Sequence, residues 1–256
     1  MNKPLITVIT VSYNAVSTIE ETILSVINQT YPNIEYIIID GGSTDGTLDI
    51  IKKYENKISY WVSEPDRGIY DAMNKGIDKA TGEWINFMNC GDSFYSNNVI
   101  KDVFYKASPS SDIIYGDTNI ILKIGNYIKK ASITTKENYM PFGHQASFSR
   151  TSLMKLLGFD INFKICADSN FFYKASIQNY KFEYVDIIIA NYDAENGFSS
   201  IKAVDLIYEK GIIEGKNNNI LWKLKFYLFK FKFNLKSNIK KILPIRIVNF
   251  IRKMKL

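Results

Sequence analysis

Residues 6–47 read ITVITVSYNAVSTIEETILSVINQTYPNIEYIIIDGGSTDGT. The stretch opens on a continuous β-branched run, ITVITV at 6–11, short enough for a strand buried on both faces. A helix is predicted next. Ser17 and Glu20 have capping-box spacing, Ile19, Ile23, Val26 and Ile27 recur at helical intervals, and Pro32 stops the run. IEYIIID at 34–40 reads as a second buried strand and GGSTDGT at 41–47 as a turn, after which Leu48, Ile51 and Tyr54 mark another helix. Two strands rich in β-branched residues and joined through a helix form a βαβ unit, which places them parallel in one sheet.

The rhythm continues outward. ISYWV (58–62) is a third strand, a Pro/Asp/Arg/Gly loop precedes a helix near 69–80, and EWINFM (83–88) is a fourth strand. Beyond it a helix near 97–107 leads to DIIYGD (112–117), and NIILKI (119–124) and NYIKK (126–130) are expected to pair around Gly125. Helices near 149–157 and 168–179 and a strand at 184–190 complete the pattern. No Ser/Gly/Pro linker cuts it, so the expectation is one α/β domain over 1–215 with a mainly parallel, mixed sheet, followed by a tail at 216–256. A domain of this length buries roughly 70% of its unfolded surface and needs no disulfide to fold.

Composition narrows the class. Cys90 and Cys166 form neither a CxxC pair nor a zinc set, and a single histidine, His144, excludes multi-histidine metal sites. The N-terminus shows no secretory h-region, and no run approaches the ~20 apolar residues of a membrane span, so a cytoplasmic chain is expected. Charge is unevenly placed: residues 216–256 hold 12 Lys and Arg and no acid, whereas residues 1–215 hold 20 bases against 26 acids. Only the tail is suited to a polyanion.

In open α/β sheets ligands bind beyond the carboxyl ends of the strands. The segments there are Ser12-Tyr13-Asn14, Asp40-Gly41-Gly42, Glu64-Pro65-Asp66 and Asn89-Cys90-Gly91-Asp92, three of them carrying carboxylates. Such a rim repels phosphate unless a hard divalent cation intervenes. The turn after the first strand is SYNAVST, not GxGxxG, and neither GxxxxGK[ST] nor GxSxG occurs, which argues against dinucleotide, P-loop and α/β-hydrolase chemistry. Metal-assisted handling of a nucleotide remains.

Residues 6–47 resemble the opening of family 2 glycosyltransferases of the GT-A fold, and EPDRGIYDAMNKGIDKATGEWINFMNCGD (64–92) is similar to the subgroup that builds bacterial surface polysaccharides. The resemblance resumes with GHQASFSR (143–150) and ADSNFFYKA (167–175). It implies a GT-A-like sheet flanked by helices. It also implies inverting transfer of a sugar from a nucleoside-diphosphate sugar, UDP-linked, to a lipid-linked or growing glycan in capsule, O-antigen or exopolysaccharide synthesis.

Residue by residue, Tyr13 is placed to stack on a nucleobase, Val11 to offer backbone groups to it, and Asp40 to accept from a base N–H. Asp45 reads as a helix cap. Asp71, Asn74 and Lys75 share a helix that, by the resemblance, borders the nucleotide, and Arg67 in the preceding loop suits a phosphate. The family's Asp-x-Asp metal motif reads Asn89-Cys90-Gly91-Asp92 here, so Asp92 is the single expected ligand for Mn²⁺ or Mg²⁺ and Asn89 a ribose or water contact. Cys90 is expected to pack, because hard cations prefer oxygen. Asp168 matches the family's catalytic base, and His144 is a possible acceptor or phosphate contact. Acceptor specificity is expected within 117–145.

In the tail, Leu224, Tyr227, Leu228, Phe231, Leu235 and Ile242 share one helical arc flanked by lysines, with Lys225, Lys232 and Lys236 on one side and Lys223, Lys230 and Lys241 on the other. Pro244 should break that helix. The pattern is that of an interfacial helix on an anionic membrane surface, at the inner face of the cell membrane, and no nucleic-acid partner is expected. The competing readings are a nucleotidyltransferase making the activated sugar and a non-catalytic sheet domain with a polyanion-binding tail.

Overall fold

The computed structural model describes residues 3–194 and 203–242. β1 (Ile6–Ser12) is buried along its whole length and lies between β2 (Ile34–Asp40) and β4 (Trp84–Phe87), parallel to both; β3 (Tyr60–Ser63) extends the parallel run beyond β2. The connections are α1 (Ile19–Ile27), α2 (Thr47–Lys53) and α3 (Ile69–Lys79). The βαβ reading of residues 6–47 is therefore the frame of the molecule. Ile19, Ile23 and Val26 of α1 pack in one core cluster with Ile6 and Val8 of β1. On α3, Gly76 lies against Ile9 of β1 so closely that a Cβ there would stand 2.6 Å from Ile9 Cγ2.

The capping box does not form. Thr18 is the N-cap of α1, and the N–H groups of Thr18 and Ile19 both turn to the Ala15 carbonyl. Glu20 instead accepts from Lys53 Nζ at 2.6 Å and Tyr54 Oη at 2.7 Å, because a cation and a phenol across the helix pair offer a carboxylate more than a backbone N–H does. Asp45 accepts from Thr47 N at 3.0 Å and from Val16 N at 3.0 Å, so it organises the start of α2 and ties it to the turn before α1.

The sheet continues past β4 as β8 (Ser147–Arg150), β6 (Ile113–Ile121), β9 (Phe182–Asp193) and the two-residue β5 (Ser93–Phe94). β8 is antiparallel to β4 and β6, while β6 and β9 are parallel. The segments read separately at 112–117 and 119–124 join in the single strand β6, which ends at Ile121, with a register shift at Asp117. Gly116 allows it: a Cβ there would meet the Ile187 carbonyl at 2.5 Å. β7 (Tyr127–Lys129) folds back on β6 around Gly125, as expected. β8 occupies residues assigned to the start of a helix, since Phe148 is driven into the core; α5 (Thr151–Leu157) follows it. α4 (Val99–Lys106) and α6 (Ala167–Ile177) complete this part.

The chain divides into two compact units, residues 1–201 and 202–256. The charge change at 215/216 falls inside the second, where α7 (Ala203–Ile213) packs on α8 (Ile220–Ile242): Tyr208 of α7 lies 5.2 Å from the Phe226 ring of α8. Pro244, the segment after it, and the side chains of Lys236, Lys241 and Ile242 lie outside the described residues.

Candidate active site

The parallel register sets Ser12, Asp40 and Ser63 abreast at the strand ends. Asp40 is fully buried and accepts from Ser12 Oγ at 2.8 Å, Ser63 Oγ at 2.7 Å, Ser43 Oγ at 2.6 Å, Ser43 N at 2.8 Å and Gly42 N at 3.0 Å. Gly42, at φ +85°, turns the last two amides onto the carboxylate. Burial alone would raise the Asp40 carboxyl, but the donors of Ser43, Ser63 and Ser12 outweigh it and hold the group below the usual range. Five donors fill a carboxylate's acceptor sites. The role expected for Asp40, accepting from a base, is thus taken by the loop itself.

What that loop presents is Tyr13. Asn14, at φ +47°, is locked by Asn14 N to Ser43 Oγ at 2.8 Å and Thr44 N to Asn14 Oδ1 at 3.0 Å, leaving Tyr13 67% exposed. Gly41 lies beside it without a side chain; a Cβ there would stand 3.4 Å from the Tyr13 ring and 2.5 Å from Asp66 Oδ2. Asp66 Oδ1 accepts from Gly68 N at 2.7 Å, and Oδ2 has no hydrogen-bond partner among the described residues. A free carboxylate oxygen next to an exposed ring suits the N–H edge of a base. The sequence held two hints, the position of Asp66 at a strand end and the bare Gly41, but neither singled it out. Val11 is buried, and its carbonyl accepts from Cys90 N at 3.4 Å, so its backbone is used within the fold.

The candidates on and before α3 are paired with their neighbours. Arg67 Nη2 and N meet Asp71 at 2.8 and 3.1 Å, which lowers the Asp71 carboxyl. Lys75 Nζ lies 2.7 Å from Glu64 Oε1. Asn74 spends its amide on Phe159, donating to the carbonyl at 2.8 Å and accepting from N at 2.9 Å. These four line an open groove of ≈ 540 Å³ with Phe159 and Asp160. Asn74 is a clamp between α3 and the 159 loop, not a free ligand contact.

Three of the remaining candidates converge and the fourth acts on them through its charge. Asn89 Nδ2 stands 3.2 Å from His144 Nε2, and His144 Nδ1 is 3.4 Å from Asp168 Oδ2. With Asn89 donating, the neutral imidazole carries its proton on Nδ1, facing Asp168. Asp168 Oδ1 accepts from Ser169 N at 2.7 Å and Tyr70 Oη at 3.2 Å, and Tyr70 also donates to the Ile165 carbonyl at 2.5 Å. Burial would lower His144, but the hydrogen bond and charge of Asp168, with Asp92, outweigh it and raise it above its ordinary value. Tyr70 carried no sequence signal, since an aromatic on a helix reads as core.

Asp92 is 8% exposed and takes no side-chain hydrogen bond among the described residues. Burial pushes its carboxyl up to about 7; His144 counters this and Asp193 at the end of β9 reinforces it. The turn is held by Thr22 Oγ1 to the Asp92 carbonyl at 2.8 Å and Gly91 N to Thr22 Oγ1 at 3.2 Å, with Gly91 at φ +94°. Burial pushes the Cys90 thiol up, so it is no thiolate ligand, as expected of a packed residue. Asn89 Oδ1 is buried without a partner. Among the described residues no three His, Cys, Asp or Glu side chains are gathered as a metal site. The turn offers two hard oxygens, from Asp92 and Asn89, which fit a divalent cation that arrives with a diphosphate and shares its oxygens.

Comparison with known proteins identifies the family and the fold. The profile of the family described as Glycosyl transferase family 2 matches residues 7–180. A PGL/p-HBAD biosynthesis glycosyltransferase of Mycobacterium bovis is 29% identical over 212 residues, covering 78% of this chain and 81% of that one. S. aureus TarS 1–349 in complex with UDP superposes with TM-score 0.63 at 23% identity, over 74% of this chain and 60% of that one. The mannosyltransferase PcManGT of Pyrobaculum calidifontis, in complex with GDP-Man and Mn²⁺, gives TM-score 0.64 at 19% identity, over 83% of this chain and 65% of that one. This chain therefore spans just under two thirds of both solved chains, and at those identities the likeness is one of fold.

Proposed function

Because the chain belongs to glycosyl transferase family 2 and has the GT-A fold, we propose that it moves a sugar from a nucleoside-diphosphate sugar, UDP-linked, to a lipid-linked or growing glycan of a surface polysaccharide, with inversion. The observation that carries the reading is the convergence of Asp168, His144 and Asn89 beside the Asp92 turn. The base stacks on Tyr13 with its N–H edge toward Asp66 Oδ2, and the diphosphate lies over the Asn89–Asp92 turn. Asp92 and Asn89 would hold a divalent cation there, and its positive charge would offset the charge that develops on the departing nucleotide.

Asp168 stands opposite as the base. The acceptor hydroxyl oxygen forms its bond to the anomeric carbon as the bond from that carbon to the diphosphate oxygen breaks. The hydroxyl proton passes to Asp168, and the electron pair leaves with the nucleoside diphosphate. Tyr70 Oη and Ser169 N hold Oδ1 of Asp168, and His144 steadies Oδ2, so the carboxylate is oriented before the acceptor arrives. Arg67, once released from Asp71, lies next to Asp66 in the same loop and is suited to the donor's phosphates.

The test is mass spectrometry of UDP- and GDP-sugar turnover with a bacterial glycolipid extract as acceptor. A product heavier by one sugar and inverted at the anomeric centre supports the reading. Release of pyrophosphate from a nucleoside triphosphate and a sugar phosphate would replace it with nucleotidyl transfer.

A further inference from the structure

The second unit carries a surface to which no residue of the candidate site belongs. α8 has two apolar stripes, not one. Trp222 and Phe226 stack at 5.5 Å and 5° between ring planes, Tyr208 of α7 closes on both, and Gly211 of α7 leaves no room for a side chain against the Trp222 ring. Phe229 and Phe233 continue this stripe at four-residue spacing, with ring centroids 6.0 Å apart. Counted at ~100° per residue, the second stripe lies on the opposite side of the helix. It comprises Leu224, Tyr227, Leu228, Phe231 and Leu235, and each of these is 49–64% exposed. Between the stripes run two rows of exposed lysines, Lys223 with Lys230 and Lys225 with Lys232. From residue 216 onward the sequence has no acid.

We infer that the Leu224–Leu235 face of α8 docks on an anionic phospholipid surface, with the aromatic stripe turned toward α7 and the lysine rows at headgroup level. The chemistry selects that occupant. An aliphatic face bounded on both sides by long cationic stems buries into the headgroup boundary while the ammonium groups stay in water. A second copy of the helix on this face would set lysine rows against lysine rows with no acid to offset them. A nucleic acid would pair with the lysines and leave the apolar face wet. No described helix is long and apolar enough to cross a membrane, so the contact is with one leaflet.

The experiment is co-sedimentation of the full chain, without nucleotide-sugar, with phosphatidylcholine vesicles that contain or lack phosphatidylglycerol. Binding to the anionic vesicles alone is expected. Lys225→Gln with Lys232→Gln should weaken it about 30-fold, roughly fivefold for each charge near the surface. Leu228→Ser with Phe231→Ser should weaken it at least about tenfold, and what remains should be lost on adding salt, since only the charge component is screened. Helical circular dichroism of each variant shows that the fold survives. Equal binding to neutral and anionic vesicles, no vesicle binding, or an equilibrium dimer abolished by Leu228→Ser with Phe231→Ser would overturn the inference; so would RNA binding that outcompetes the vesicles. None of these outcomes depends on sugar transfer, so the docking surface and the proposed reaction stand or fall separately.

Discussion

At the scale of single residues, two aspartates, one ending β2 and one in the first turn of α6, do opposite work. Asp168 keeps acceptor capacity on Oδ2, whereas Asp40 has none left. Asp168→Asn preserves shape and the Tyr70 contact but accepts no proton, so turnover should fall about 10²–10⁴-fold with donor affinity near wild type; single-turnover kinetics with a fixed acceptor reads this directly. Asp40→Asn turns an amide NH₂ toward the N–H groups of Gly42 and Ser43, and should cost about 2–4 kcal/mol by urea unfolding at neutral pH. The sign with pH follows from the direction of the shift. The folded carboxyl of Asp40 lies below its unfolded value of ~3.9, so its stabilisation is complete above that value and is lost as pH falls through the folded one. The gap between wild type and Asp40→Asn should therefore close below about pH 4, and a gap that stayed constant in acid would assign Asp40 a purely steric role. Asp66→Ala removes the free oxygen beside Tyr13, and donor KM should rise about 10–100-fold, the worth of one charge-assisted hydrogen bond, with kcat little changed.

At the scale of elements, the legible parts were those in which one segment contains its own answer. β1, α1 and β2 were read from apolar runs and a proline, and β2 falls on the expected residues 34–40. β8 was not legible, because Ser149 and Arg150 fall in the predicted helix and Ser147 and Phe148 carry no strand pattern until β4 and β6 flank them. The capping box failed for a related reason: Lys53 and Tyr54, which take Glu20, lie at the end of the next helix. The site divides in the same way. Asp168, His144, Asn89 and Asp92 were visible through motifs, while Asp66 and Tyr70 matter through neighbours distant in sequence, Gly41 and Asp168. Close packing between elements is testable at Gly76. Ala is the better helix former by ~1 kcal/mol, yet its methyl would meet the buried Ile9 side chain. Gly76→Ala should therefore destabilise by about 1–3 kcal/mol net of that gain, and Ile9→Val should recover part of it in a double-mutant cycle of thermal unfolding.

At the scale of the whole molecule, the charge placement would make the donor and the cation of the proposed reaction interdependent. Residues 1–215 hold 26 acids against 20 bases, and the carboxylates of Asp40, Asp66 and Asp92 all lie at the strand ends where a nucleoside diphosphate would bind. Against that rim a diphosphate alone would bind poorly, and a cation alone would find, among the described residues, Asp92 and Asn89 Oδ1 at the turn. Each should raise the affinity of the other by the same factor, because the coupling is reciprocal. A ligand that binds only the folded state stabilises it by RT ln(1 + [L]/Kd), about 2.7 kcal/mol at one hundred times Kd. UDP with Mn²⁺ should thus raise the melting temperature by more than the sum of the shifts from UDP and from Mn²⁺ alone. Asp92→Ala should abolish that excess and most of the transfer activity while leaving the UDP-only shift, which rests on Tyr13 and Asp66. Asp168→Asn, lying on the acceptor side, should keep the excess in full. Additive shifts in the wild-type chain, or undiminished transfer in excess chelator, would remove the cation from the reaction and leave the Asp92 turn as a structural element of the β4–β5 connection.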